Sequence, residues 1–352
     1  MEFQKEDGRI FYKEGRTVLA EITFPETFPG IREIQHTYVA ESMRGQGIAS
    51  QLVATAALEI AAEGYKAKAS CEYAAKWLKC HPETAASLSW QKKELQEQLK
   101  RMGILPSDTV MIHSSLRTVG PVEDGANGLI EALRDYLRDG LLLIPTHTWA
   151  DVNAENPYFD ASASIPCIGV LPQVAAFHPD GVRSLHPTHS ITAFGRRAAE
   201  YVRGEEKAAT PAPPNGCWGR LYEENAKILL VGVSQNRNTY LHSVEEMLNI
   251  PDRLDEQAYL VHGTDGKGFC WEQPMHSHCC SLTKDISQFY PKYLPSFEKY
   301  GAVTIGQLGS ARTEICSARR CADILRQIWQ RADGEIGVGH EPLDPALYEN
   351  LQ

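Results

Sequence analysis

Three short runs in the second half of this chain restrict its fold more than any other feature. Residues 109–115 read Thr-Val-Met-Ile-His-Ser-Ser, residues 141–147 read Leu-Leu-Leu-Ile-Pro-Thr-His, and residues 228–233 read Ile-Leu-Leu-Val-Gly-Val. Each is too short for an ordinary helix and apolar at consecutive positions, the pattern of a strand buried on both faces. Helical spacing follows over residues 128–137 and again over 238–248. Strands of this kind alternating with helices predict an α/β fold built on a covered sheet. A hairpin is predicted over 259–271, around the Gly-Thr-Asp-Gly at 263–266, and a closing helix over 317–331.

The first ninety residues follow another plan. Residues 30–39 alternate apolar and polar side chains, which predicts one half-buried strand. A glycine-bearing turn leads into a helix over 48–62, and 67–71 reads as a further short strand. A charged helix over 91–102 forms the join, so two domains are expected, 1–90 and 91–352. At 352 residues the chain has length enough for two domains with separate cores.

Composition removes several functions. Thirty-five basic against forty-five acidic side chains give a net charge of -10, which argues against the basic face that a nucleic-acid partner needs. The acidic balance suits a cationic small-molecule substrate. No apolar run approaches the ~18 residues of a membrane span. The N-terminus lacks the basic and apolar regions of a secretory signal. A cytoplasmic protein without membrane association is expected, and its nine cysteines, with no CxxC pair, are expected as free thiols. His276-Ser-His278-Cys279-Cys280 gathers soft ligands, but adjacent cysteines share one tetrahedral site poorly, so no metal is expected.

Two sets of residues carry chemistry. The turn Arg44-Gly45-Gln46-Gly47-Ile48-Ala49 joins a strand to a helix, where free amides and missing side chains suit a pyrophosphate. The second set is histidines. His113 and His147 end predicted strands, His186 and His189 lie in His-Pro-Thr-His-Ser, and His242 lies in Leu-His-Ser-Val-Glu. Loops at the carboxyl ends of strands are where open α/β sheets bind ligands. Each of these histidines alone also reads as a buried core residue; core packing gives no reason to collect all five. A neutral imidazole can take a proton and pass it on. His242 and Glu245, three apart on a predicted helix, share one face. A metal on His186, His189, His242 and Glu245 is an alternative use. A serine nucleophile is disfavoured, because the Gly-x-Ser-x-Gly elbow is missing.

From about residue 95 to 330 the chain resembles the aminoglycoside 3-N-acetyltransferase family, on segments 103–120, 144–149, 182–190, 219–222 and 229–245, in that order. The resemblance implies a larger α/β/α domain that transfers acetyl from acetyl-coenzyme A to the 3-amino group of a 2-deoxystreptamine ring, an antibiotic-resistance activity. It places the general base in the His-Pro-x-His-Ser segment at His189, with Glu245 orienting it or holding cationic amines, and His186 or His242 as the other imidazoles available. It implies a coenzyme channel along Ser114, Ser115, Leu116 and Arg117, and substrate contacts from His147, Trp149, Asp151 and Asn238. A homodimer is compatible with it.

Residues 5–85 resemble the small, single-motif branch of the GNAT superfamily of N-acetyltransferases. The match rests on the turn at Arg44, Gly45, Gly47 and Ala49, on Cys71-Glu-Tyr, and on His81-Pro82-Glu83. It implies that the turn binds acetyl-coenzyme A and makes Cys71 a candidate catalytic thiol; the unit acts either as an enzyme or as a coenzyme-sensing module. The chain departs from the larger family at 215–218, where Asn-Gly-Cys-Trp replaces a serine-proline pair, and in carrying the N-terminal unit at all. Both departures admit another small amine as acceptor. Pocket charge separates the two: an aminoglycoside site calls for several carboxylates, a phosphorylated acceptor for Arg or Lys.

Overall fold

The computed structural model describes residues 1–281, 283–332 and 341–351. These divide into two compact units.

The first unit comprises residues 1–98 with two later segments, 116–129 and 308–311. Strands β1 (Gln4–Glu6), β2 (Arg9–Glu14), β3 (Thr17–Thr23) and β6 (His36–Val39) form an antiparallel sheet in the order β1-β2-β3-β6. A second sheet has the order β4 (Glu26–Phe28), β5 (Ile31–Ile34), β7 (Lys66–Ala69), the last two parallel. The single strand expected over 30–39 is therefore two strands in two sheets. At the break the Gln35 amide donates to the Thr23 carbonyl (3.0 Å), while the Ile34 carbonyl accepts from the amides of Ser70 and Cys71 (3.0 Å each). Alternation records which side chains are buried, not which neighbour each half of the run pairs with. The helix Ile48–Ala62 buries Ile48, Leu52, Val53, Ala56, Ala57 and Ile60, one stripe at helical spacing. They share a core with Ile10, Ala20, Ile22, Phe24 and Ile34. The 67–71 run is strand only to Ala69; Cys71 caps the helix Glu72–Cys80. The later segments are tied in by Trp90, whose indole donates to Ser310 Oγ (3.3 Å), and by Gln98, which bonds both backbone groups of Gly309 (3.1 and 2.6 Å). Gly309 has φ +60, and a Cβ there would lie 2.5 Å from the Val119 carbonyl oxygen, so only glycine fits.

The second unit holds a seven-stranded sheet: β11 (Val182–Arg183), β12 (Ile191–Phe194), β9 (Leu141–Pro145), β8 (Thr109–Ser114), β13 (Lys227–Val231), β17 (Ala311–Ser317) and β16 (Val303–Leu308), in that order. The three apolar runs are its centre, β9, β8 and β13, all parallel. Met111, Leu141, Leu143, Ile228 and Leu230 enter a core with Trp218, Tyr240, Leu241 and Leu325. The alternate residues Val110, Ile112, Leu142, Ile144, Leu229 and Val231 are buried too, so both faces are covered as their unbroken apolarity requires. Helices Cys217–Glu223, Tyr240–Met247 and Ala318–Arg331 pack on one another over the first face. The helix expected from 128 begins at Gly125, and β9 stops at Pro145, leaving Thr146 and His147 in a loop. A small sheet of β10 (Tyr158–Asp160), β14 (Tyr259–Thr264) and β15 (Cys270–Met275) contains the predicted hairpin, whose tip lies at 265–269. Because β8, β9 and β13 run in one direction, their carboxyl ends meet at one rim. The antiparallel pairing of Ile191 with Pro145 brings residues 186–190 to the same rim. Among the described residues no helix is long and apolar enough to cross a membrane.

Candidate active site

A cavity of about 780 Å³ opens at this rim, and six imidazoles line it: His113, His147, His189, His242, His276 and His278. His113 is set by β8, opposite Leu230 of β13. Its Nε2 has no hydrogen-bond partner, and burial pushes its pKa down to about 3. The His147 ring lies 4.6 Å from that of His189 and edge-on to Trp218 at 5.4 Å.

The His-Pro-Thr-His turn is organised by its first histidine. His186 Nδ1 accepts the amides of Thr188 (3.2 Å) and His189 (3.0 Å), while Nε2 donates to the Thr210 carbonyl (2.9 Å). Both nitrogens are committed, and burial holds the ring down to about 4, so His186 shapes the turn and is not free to move protons. His189 is fixed from behind, its carbonyl accepting from the Trp218 indole (3.1 Å), with Thr188 Oγ1 3.0 Å from its Nδ1. Trp218 belongs to the 215–218 departure, so that departure builds the wall behind His113, His147 and His189.

Glu245 does not orient His189. Its Oε1 accepts from Arg253 Nε (2.9 Å), and its Oε2 accepts from the Tyr290 hydroxyl (2.5 Å) and lies 3.4 Å from His242 Nδ1. The Tyr290 oxygen is in turn 2.7 Å from His242 Nδ1. With the hydroxyl proton directed at the carboxylate, His242 Nδ1–H donates to the tyrosine oxygen, which leaves the Nε2 lone pair free. Burial pushes Glu245 up, but bonds from His242, the Arg253 charge and the Tyr290 bond outweigh it, and the carboxyl sits below its ordinary range. A second pair lies alongside. His278 stacks on His242 at 4.0 Å, and its Nε2 is 3.3 Å from Glu246 Oε1. Glu246 also accepts from Thr210 Oγ1 (2.6 Å) and the Ala212 amide (2.9 Å). Burial first, and then neighbouring imidazoles, hold His147, His189 and His278 well below 6.5, so they stand neutral at neutral pH.

Of the residues expected at the site, His147, Trp149, His189, His242 and Ser114 line the cavity; the Ser114 hydroxyl is buried without a hydrogen-bond partner. Glu245 stands behind the wall. Asn238 does not reach the cavity: it is buried, and its amide donates to Gln235 Oε1 (2.9 Å). Asp151 and Arg117 are exposed and Ser115 and Leu116 half-buried, and all four stand outside the lining; the Arg117 guanidinium lies over the Phe28 ring at 4.9 Å. Tyr290, Arg253 and Glu246 were not foreseen, and nothing local in the sequence marks them. His278 had a signal, the His-Ser-His-Cys-Cys cluster, which reads as a gathering of soft ligands with no metal expected on it and not as part of the imidazole set. Among the described residues no group of three or more His, Cys, Asp or Glu side chains has metal-site geometry.

In the first unit Gly45 and Gly47 have φ +80 and +78, with open space where side chains would stand. The Arg44 Nε donates to the Val39 carbonyl (3.2 Å), and Ala49 lies in the first turn of the following helix, where amides lack intrahelical acceptors. The Cys71 thiol is 3.5 Å from Thr37 Oγ1. Burial raises its pKa, but bonds to Thr37 and to the backbone of Ala74 and Tyr73 bring it below the ordinary thiol value.

Residues 111–330 match the family model of aminoglycoside 3-N-acetyltransferases, and residues 9–88 that of GCN5-related N-acetyltransferases. The chain is 34% identical over 193 residues to aminoglycoside N(3)-acetyltransferase IV from Salmonella sp, covering 54% of this chain and 71% of the relative. It is 28% identical over 260 residues to aminoglycoside N(3)-acetyltransferase VII from Streptomyces paromomycinus, covering 66% and 88%. Among solved structures it is similar to a histidine-to-alanine variant of AAC(3)-IVa in complex with a gentamicin, with TM-score 0.57, 26% identity, and 74% and 91% of the two chains covered.

Proposed function

This chain belongs to the aminoglycoside 3-N-acetyltransferase family, and from that premise we propose that its second unit transfers acetyl from acetyl-coenzyme A to a primary amine, with His242 as general base. The observation that carries this reading is the line His242–Tyr290–Glu245 ending in a free Nε2 at the cavity. An amine arrives as ammonium and cannot attack until a base takes its proton. His242 and His278 are the lining imidazoles with a carboxylate to balance their protonated form, and burial with neighbouring imidazoles holds His278 well below its ordinary range; His189 is backed by a hydroxyl alone. The freed nitrogen attacks the thioester carbon, the C–N bond forms, the C–S bond breaks, and the proton held on His242 passes to the leaving thiolate. The unpartnered Ser114 hydroxyl on the wall supplies a donor for the oxygen that becomes negative in between. His189, His147 and His278, kept neutral, shape the cavity without adding positive charge.

The names of the relatives make aminoglycosides the first acceptors to assay. Thiol release from acetyl-coenzyme A that depends on an added amine, and that falls by roughly 10²–10⁴-fold in His242→Ala, is the expected result. A near-normal rate in that variant would return the base to His189. For the first unit, the open turn at Gly45 and Gly47 supports a coenzyme-binding role, in a domain ending near residue 90. Calorimetric titration of coenzyme A against Gly47→Val tests it, and unchanged stoichiometry and affinity would remove it.

A further inference from the structure

The charges on the cavity wall bear on what the acceptor carries besides its amine, a question that rests on the acetyl-transfer reading above. Among the described lining residues the permanently charged side chains are Arg237, Lys284 and Asp285. The one carboxylate is already engaged. Asp285 Oδ1 accepts from the amide (3.0 Å) and hydroxyl (2.6 Å) of Ser287, and Oδ2 accepts from Gln288 Nε2 (2.9 Å). Behind the wall Glu245 is held by Arg253 and Tyr290, and Glu246 by Thr210, the Ala212 amide and His278. The side chains of Arg237 and Lys284, by contrast, have no hydrogen-bond or ion-pair partner among the described residues.

An aminoglycoside carries several ammonium groups, and each must exchange water for a carboxylate as it is buried. Among the described lining residues no carboxylate is uncommitted, and two cations oppose such a ligand. Two such cations, without partners among the described residues, suit a phosphate-type anion instead. Both lie just ahead of the elements that build the proton relay. Arg237 ends the turn Gln235–Arg237, just ahead of the helix of His242 and Glu245. Lys284 precedes the helical segment Ile286–Tyr293 that holds Tyr290, and these two segments pack against each other. We infer that the acceptor is a small primary amine that also bears a phosphate-type group, with the amine at His242 Nε2 and the anion on Arg237 and Lys284.

Matched acceptors test this on the full chain. Thiol release is measured with glucosamine 6-phosphate against glucosamine, 2-aminoethylphosphonate against ethylamine, and kanamycin and gentamicin beside them. The phosphate-bearing member of each pair is expected to have a kcat/KM at least ~10-fold above its partner and above either antibiotic, the size of one charge-assisted contact. In Arg237→Gln and Lys284→Gln the KM for the phosphate-bearing amine is expected to rise by a similar factor, with that for acetyl-coenzyme A little changed. A rise confined to acetyl-coenzyme A would assign the cations to the donor's phosphates and overturn the inference. A paired ratio near one, or faster turnover of either antibiotic, would overturn it too while acetyl transfer stands. No thiol release with any amine would remove the acetyl-transfer reading itself.

Discussion

Histidine serves several purposes within one wall of this protein, and what each ring does follows from what its two nitrogens touch. His186 commits both to backbone groups, while His242 commits one to Tyr290 and keeps one for the cavity. Two predictions belong at this scale. Tyr290→Phe keeps the ring that packs on His242 but breaks the line to Glu245. The kcat is expected to fall by roughly 10–100-fold, the worth of one hydrogen bond to a charged group, with the KM for acetyl-coenzyme A little changed. Stopped-flow thiol release checks it; an unchanged kcat would mean that His242 acts without its carboxylate. The buried rings also set an acid limit. His186 at about 4 and His113 at about 3 stay neutral in the folded chain, while the unfolded chain protonates both near 6.5. The unfolded state then binds more protons, so stability falls as pH drops below about 6.5 and keeps falling to about 4 for His186 and to about 3 for His113. Each contributes ~1.4 kcal/mol per pH unit over its window. Urea unfolding at pH 7 and pH 5 measures the slope; equal stabilities would show that these rings are protonated in the folded chain.

At the scale of elements, the helix Cys217–Glu223 does more than cover the sheet. Trp218 in its first turn is fully buried, touches His113 and His147, and donates to the His189 carbonyl. Trp218→Ala is expected to cost ~3–5 kcal/mol of stability through the cavity it leaves. Trp218→Phe fills most of that space and loses the indole bond, so a cost of ~1 kcal/mol is expected, with altered kcat because the 186–190 turn loses its tether. Thermal unfolding of the two variants side by side separates packing from tethering. The parallel strands β8, β9 and β13 explain why this helix and the histidine turn converge. Side chains from four distant stretches meet because the strand ends do, and register fixes which residues stand at the rim.

The whole molecule carries two family matches, at 9–88 and 111–330, yet its compact units do not divide at a single point. Segments 116–129 and 308–311 belong with the first ninety-eight residues, through Trp90 on Ser310, Gln98 on Gly309, and Ile31 beside Gly120. Deleting residues 1–90 therefore removes partners of chain that stays behind. The truncated protein is expected to melt at lower temperature and to lose protection in those two segments by amide hydrogen exchange. A truncation with the melting temperature of the full chain would show that the segments hold without the first unit.

The sequence by itself determined the composition of both halves: three doubly buried strands, the amphipathic helix after the glycine turn, and five of the histidines. Those follow from local periodicity and from side-chain chemistry, which are properties of neighbouring residues. It also held the pairing of His242 with Glu245, since positions three apart on a helix must share a face. Tertiary structure decided the rest. The fork at Gln35, the arrival of Tyr290 between His242 and Glu245 from forty-five residues beyond Glu245, and the seat of Trp218 behind three imidazoles all depend on which distant segments pack together. So does the charge of the cavity wall. The chain is acidic overall, yet among the described lining residues the carboxylate is tied to donors and the two cations are not, a distribution that no count of charges along the sequence contains.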